Sequence, residues 1–226
     1  MSDALLVFAK APVPGAVKTR LTTLLTDEEA AALYEAFLGD SLAAYATLSV
    51  DVRLYLAPSP GHVPDGIVPA GVALQTQRGD DLGQRMLNAF VETFLAGYER
   101  AVVIGTDHPT LPLAFVQHAF RELSTPFTTV LGPSDDGGYY LLGMNELYSQ
   151  LFRGMAYSHA GVFADTLQRA QATPASVSIL PSWYDVDTPD ELRRLAHDLE
   201  ADADGPQVRR TREVMAVLRE RYNLTT

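Results

Sequence analysis

Only two lysines occur in this chain, Lys10 and Lys18, against fifteen arginines, and both fall in one Gly/Pro loop near the N-terminus. The stretch reads ALLVFAKAPVPGAVKTRLTTLLT. From Lys10 to Thr26 it holds three cations, Arg20 being the third, and no acid, although the protein's formal net charge is -11. A cationic loop behind an apolar run suits an anion such as a nucleotide diphosphate. Lysine acts there as a mobile point charge, and arginine grips phosphate through two hydrogen bonds. Gly15 permits close backbone approach, the prolines stiffen the loop, and a helix N-terminus behind it would offer free N–H groups. GAVKT matches half of a P-loop, but Val17 stands where that motif needs glycine and no earlier glycine is present in the loop. The loop therefore does not read as that of a P-loop ATPase.

Three further loops carry carboxylates. Asp107 follows the apolar run AVVIGT, where a carboxylate is costly to desolvate unless it has a partner. Mg²⁺ or Mn²⁺, which take oxygen ligands and bridge to phosphates, would be one; an Asx turn before Pro109 is the structural alternative. In GPSDDGGYYLLG, Asp136 stands beside Gly137 and Gly138. It would accept a proton or a sugar hydroxyl there, although Asp-Gly is also the usual hairpin signal. Asp187 in WYDVDTPDEL precedes the helix cap Thr188, so it is either a charge favoured by the helix dipole or a second metal carboxylate. Asp185, two residues earlier, is free to point elsewhere, and His108 receives no role. Two carboxylates from separate loops would hold one divalent ion and leave positions for phosphate oxygens and water.

These loops need a frame. Apolar segments of strand length occur at 4–9, 51–57, 72–77, 101–106, 126–132, 139–144 and 176–181, and amphipathic helical patterns lie between most of them. Thr26 with Glu29 forms a capping-box pattern, as do Thr188 and Glu191 around Pro189. Alternating strands and helices predict an α/β fold: a single domain with a doubly wound, mostly parallel mixed sheet. Gly205-Pro206 divides a domain at 1–204 from a C-terminal helical extension at 205–226 that packs on it. In such sheets ligands bind at the carboxyl ends of the strands, where all four loops fall.

Bulk properties narrow the partners. Apolar residues make up 47% of 226 residues, enough for a buried core. The acidic balance argues against nucleic acid and anionic membrane, and the absence of cysteine rules out thiolate chemistry. No run is long enough for a transmembrane helix and the N-terminus does not read as a signal peptide, so a cytoplasmic protein is expected. There is no G-x-S-x-G, H-E-x-x-H or G-x-G-x-x-G, and the five histidines are scattered.

Taken in order, FAKAPVPGAVKTRL, GDDLGQRM, VVIGTDHPTL, GPSDDGGYYLLG and YDVDTPDEL resemble a bacterial family of GT-A-type transferases. That family is described as nucleotide-diphospho-sugar transferase-like, or as radical-SAM/selenobiotic-associated glycosyltransferases. More distantly the chain is similar to the guanylyltransferases of molybdenum-cofactor and phospholactate metabolism. The resemblance implies a GT-A-like fold with Lys10, Gly15, Lys18 and Arg20 in the nucleotide-binding loop, and Asp81 and Arg85 lining the base or sugar pocket. It also implies that Asp107 and Asp187 bind the metal, Mg²⁺ or Mn²⁺. Where many glycosyltransferases carry D-x-D, this chain has the single Asp107. Three readings follow. The first is sugar transfer from a nucleoside diphosphate donor to a small acceptor, with Asp107 at the metal and Asp136 activating the acceptor. The second is nucleotidyl transfer to a phosphorylated small molecule with release of pyrophosphate. The third is a non-catalytic protein that binds a nucleotide sugar.

Overall fold

The computed structural model describes residues 2–57, 63–157, 159–201 and 208–224. A seven-stranded sheet has the order β3-β2-β1-β4-β6-β5-β7. Its strands are β1 (Asp3–Lys10), β2 (Asp51–Ala57), β3 (Ala73–Thr76), β4 (Arg100–Ile104), β5 (Thr128–Pro133), β6 (Tyr139–Met144) and β7 (Ser176–Ile179). Every expected strand is present, with ends moved by up to two residues. β1 pairs in parallel with β2 and β4, whereas β6 is antiparallel to both of its neighbours. The sheet is therefore mixed and mostly parallel, as the sequence pattern predicts.

The near-continuous apolar run of β1 follows from burial on both sides. Leu5, Val7 and Ala9 face one core with Leu38, Leu42, Val116 and Phe120. These four come from α1 (Asp27–Tyr45) and α3 (Leu113–Glu122). Ala4 and Leu6 face the other core, against Phe90 of α2 (Leu82–Leu95) and Ala170 of α4 (Val162–Gln171). A third cluster joins α1 to α5 (Pro189–Ala201) and α6 (Arg209–Tyr222), through Leu33, Phe37, Leu195, Met215 and Leu218. Gly205-Pro206, the expected break before the last helix, lies outside the described residues. No helix among the described residues is long and apolar enough to cross a membrane.

Both capping boxes form. The Thr26 hydroxyl accepts from Glu29 N–H at 3.2 Å and the Glu29 carboxylate accepts from Thr26 N–H at 2.9 Å. Glu191 likewise accepts from Thr188 N–H at 2.7 Å. This corrects one expectation. The cationic loop does not feed α1 directly: a 3₁₀ turn (Leu21–Thr23) intervenes, and the first turn of α1 carries Asp27, Glu28 and Glu29. A capped, acidic helix end repels phosphate, so the loop's side chains and not α1 must supply the anion site.

Strand order reverses between β1, which leads to β2, and β4, which leads the other way, so a crevice opens at their carboxyl ends. α6 is held by Asp40, a buried carboxylate of α1 that accepts from Arg210 N–H at 3.1 Å and Thr211 N–H at 2.7 Å. Replacing Asp40 with Ala strands two N–H groups at the start of α6, one of them buried. The Asp40→Ala variant should lose about 1–3 kcal/mol in urea unfolding; a midpoint equal to wild type would remove this anchoring role.

Candidate active site

The crevice holds a cavity of about 480 Å³ at the ends of β1 and β4. Lys10, Lys18, Arg20, Arg85, Asp107 and Asp187 all line it. Lys18 is the centre. Its side chain is 2% exposed, and its ammonium donates to Asp107 and, at 3.0 Å, to Asp187 Oδ1. Arg20 donates to the other oxygen of Asp187. The backbone at Lys18 is left-handed (φ 49°), an arrangement that is costly for a residue with a Cβ and here turns the side chain inward. Burial by itself would weaken the ammonium's hold on its proton. The charges and hydrogen bonds of Asp107 and Asp187 more than reverse this and hold its pKa above the ordinary lysine range.

The elements that aim these carboxylates are pinned to one another. Asp107 lies just beyond β4, and its carbonyl accepts from Val186 N–H at 2.8 Å. Asp187 N–H donates to Glu191 at 2.8 Å, inside the capping box of α5. Behind them His108 and Asp185, which sequence reasoning left without roles, meet in a second link. His108 Nδ1 is 3.3 Å from Asp185 Oδ1, and the Ser134 hydroxyl donates to Asp185 Oδ2 at 2.8 Å. Burial alone would raise the Asp185 pKa. The bond and charge of His108, the Ser134 hydroxyl and the charge of Lys18 outweigh it and hold the carboxyl below its ordinary range.

Three contributors carried no readable signal in the sequence. The Tyr34 hydroxyl accepts from Lys10 N–H at 2.9 Å and bonds Thr106 Oγ1 at 3.1 Å, fixing the end of β1 against β4. Burial, then the nearby Asp107 charge, pushes its pKa up to about 12, so it stays neutral. Gln77 donates to the carbonyls of Ala9 at 3.0 Å and Tyr55 at 2.9 Å at the cavity wall. Tyr139 lines the same cavity. A tyrosine on an apolar helix face and a glutamine after a strand look like ordinary core and loop residues until the fold brings them here.

Two expected site residues stand elsewhere. Asp81 is exposed and caps α2, accepting from Gln84 N–H at 2.8 Å, and it does not line the cavity. Its carboxylate completes the helix end instead, as its place before an amphipathic run allows. Gly15 is also outside the lining; its positive φ of 74° serves the turn, close to Asp27. Asp136 lines a second, adjoining cavity of about 670 Å³, which shares Arg20, Asp107, Tyr139 and Asp187 with the first. Asp136 Oδ1 accepts from Gly138 N–H at 2.9 Å, an Asx turn.

One wall of that cavity depends on Gly137. Its φ is 88°, a Cβ there would fall 2.0 Å from Ala160 O, and its carbonyl accepts from Phe163 N–H at 2.9 Å. The 135–138 turn is thus seated directly on the segment that leads into α4.

A family model described as "Uncharacterized protein conserved in bacteria (DUF2064)" matches residues 41–159, just over half of the chain. The chain belongs to the DUF2064 family. A member-like structure from Desulfovibrio desulfuricans G20, provisionally named a nucleotide-diphospho-sugar transferase, is 33% identical, covers 97% of this chain and 98% of its own, and superposes with a TM-score of 0.86. Below it in identity, a cytidylyltransferase from Leptospira borgpetersenii serovar Hardjo-bovis (strain JB197) is 13% identical, with a TM-score of 0.54 over 99% of this chain and 96% of that one. A CMP:2-keto-3-deoxy-manno-octonic acid synthetase complexed with CTP is 12% identical, with a TM-score of 0.52 over 90% and 100%. These last two share the fold alone with this DUF2064 protein. No curated protein matches.

Gly137→Ala should destabilise this protein by at least about 2 kcal/mol, since the new methyl meets backbone at a left-handed position; urea unfolding unchanged from wild type would disprove the close seating. Asp185 contributes stability that is fully present above its ordinary pKa and is lost as pH falls through the depressed folded value. As pH falls through the ordinary carboxylate range and below it, wild type should therefore lose more stability than Asp185→Asn. Parallel pH profiles would show that the His108 link does not act on this carboxyl.

Proposed function

We propose that this protein transfers a sugar from a nucleoside diphosphate donor to a small acceptor. The observation that carries the reading is the ion cluster of Lys18, Asp107, Asp187 and Arg20, set in a wall shared by two cavities. In the first cavity Lys10, Lys18, Arg20 and Arg85 face two carboxylates, an excess of cation that suits a diphosphate. Lys10 makes no ion pair among the described residues, so it is available to phosphate from the outset. The second cavity opens on the other side of the same carboxylates and suits the acceptor.

Asp107 and Asp187 fit a divalent ion. They converge from two loops on one cation, Lys18, and offer hard oxygen donors, with the side chain of Asp107 45% exposed beside the cavity. Among the described residues no third His, Cys, Asp or Glu joins them, so phosphate oxygens and water would complete the shell, as is usual for Mg²⁺. When bound, Mg²⁺ or Mn²⁺ would supply charge neutralisation to the departing diphosphate. Lys18 meanwhile holds the two like charges together and stands within reach of the phosphates. Arg20 orients Asp187 and adds charge where the leaving group develops it. Asp136 would take the acceptor's proton; its position in the lining of the second cavity, with one oxygen committed to its turn, supports this role.

Nucleotidyl transfer is the second reading, favoured by the fold shared with a CTP-bound synthetase and a cytidylyltransferase. The released product separates the two: a nucleoside diphosphate for sugar transfer, pyrophosphate for nucleotidyl transfer. A donor panel with Mg²⁺ or Mn²⁺ should release nucleoside diphosphate, and Asp107→Asn should lower that rate by about 100-fold or more. Release of pyrophosphate, or an unaltered Asp107→Asn rate, would overturn the reading or the role. Lys18→Ala should weaken nucleoside diphosphate binding more at low salt than at high salt, by isothermal titration; equal affinities would refute a direct charge contact.

A further inference from the structure

The two cavities that meet at Asp107 and Asp187 differ in the sign of their charge. Lys10 and Arg85 line only the first, and Lys18 reaches only that side. The second is lined by Asp107, Asp136, Asp185 and Asp187, and Arg20 is its one permanently charged cation among the described residues. Arg20 is already engaged by Asp187. His159 lines the second cavity as well, but both of its ring nitrogens are engaged. Nδ1 accepts from Gly161 N–H at 3.1 Å, and Nε2 lies 3.1 Å from the Ala156 carbonyl and 3.9 Å from Asp165 Oδ2. Asp136 Oδ2 has no partner among the described residues. Tyr139 and Tyr157 complete the surface; burial pushes both of their pKa values up, so they remain neutral hydroxyls and present aromatic faces.

With a divalent ion on Asp107 and Asp187 committed to the donor's phosphates, a phosphate or carboxylate entering here would still meet Asp136, and the described lining offers it no unengaged side-chain cation, so it would be desolvated without an ion pair. A hydroxyl finds acceptor oxygens, and an amino group finds Asp136 and aromatic faces. The cavity is also firmly walled, since Gly137 is seated on Ala160 and Phe163 N–H bonds Gly137 O.

We propose that the second cavity selects an acceptor that carries hydroxyl or amino groups and neither phosphate nor carboxylate. Asp136 determines this specificity and excludes phosphorylated compounds. The inference rests on the transfer reading for what occupies the first cavity, and it argues within that reading against a phosphorylated partner.

The test uses amide NMR of the full chain with Mg²⁺, with and without UDP or GDP, titrated with three matched probes: glucose, glucosamine and glucose 6-phosphate. Glucose and glucosamine should shift the amides of Gly138 and Gly161, glucosamine at least as strongly as glucose. Glucose 6-phosphate should need at least about tenfold higher concentration, the size expected of one unfavourable charge contact. Asp136→Lys, a change at an exposed turn, should reverse the order of glucosamine and glucose 6-phosphate. Preference for glucose 6-phosphate in wild type, no shift with any probe, or an unchanged order in Asp136→Lys would overturn the proposal. The nucleotide is read separately, at Lys10 and Lys18. If UDP and GDP leave those amides unmoved while Gly138 and Gly161 still rank the probes as stated, the donor reading fails and the selectivity of this cavity stands.

Discussion

One buried ammonium organises this molecule's crevice. Asp107 and Asp187 arrive from separate loops far apart in sequence, and two carboxylates this close repel unless a cation lies between them. Lys18 is that cation, almost wholly removed from water, and its left-handed backbone shows that the chain accepts strain to place it. Desolvating a lysine is costly, so the arrangement is stable only because both carboxylates are held in place by other bonds. Val186 N–H on the Asp107 carbonyl, His108 on Asp185 and Glu191 on the Asp187 amide supply that restraint. The ion cluster and its supports are thus one unit, and it forms the partition between two cavities.

The sheet explains why the partition lies where it does. β1 and β4 run in parallel side by side, and the chain leaves them toward opposite edges, so no crossover connection covers their carboxyl ends. Tyr34 and Gln77 close the remaining gaps in backbone hydrogen bonding around that opening. Antiparallel β6 then delivers Tyr139 to the opening from the other direction, with Asp136 in the turn that leads into it. Inserting one reversed strand is what gives the crevice a second compartment.

Charge distinguishes the two compartments. The family match and the Desulfovibrio structure set this DUF2064 protein among nucleotide-diphospho-sugar transferase-like folds. More distant likenesses in fold include a cytidylyltransferase and a CTP-bound synthetase, so fold does not choose between sugar and nucleotidyl transfer. The distribution of fixed charge is more informative. Cations gather on the side of the first loop and carboxylates on the side of the 135–138 turn, which suits an anionic donor facing an acceptor of another kind.

Much of this was legible in the residues. The inner strands follow from apolar runs, because a strand covered by helices on both faces is apolar almost throughout, whereas the edge strands β3 (ALQT) and β7 (SVSI) are partly exposed and more polar. The caps at Thr26 and Thr188 follow from spacing, because they satisfy N–H groups three residues away. Lys10, Lys18, Arg20, Asp107 and Asp187 could be singled out because each falls after a strand or before a helix, where a charge needs a reason. Asp81 shows the limit: a cap and a pocket residue look alike in sequence, and only the helix end decided between them. So do His108 and Asp185, whose meaning lies in a contact between residues 77 positions apart. The sequence by itself determined the secondary structure, the sheet class and the charged loops, since these depend on local spacing and burial pattern. That Lys18 lies between Asp107 and Asp187, that α1 offers no anion seat, and that the cavities differ in charge were decided by the tertiary structure alone. Coulomb energy depends on separation in space, and the chain order does not contain it.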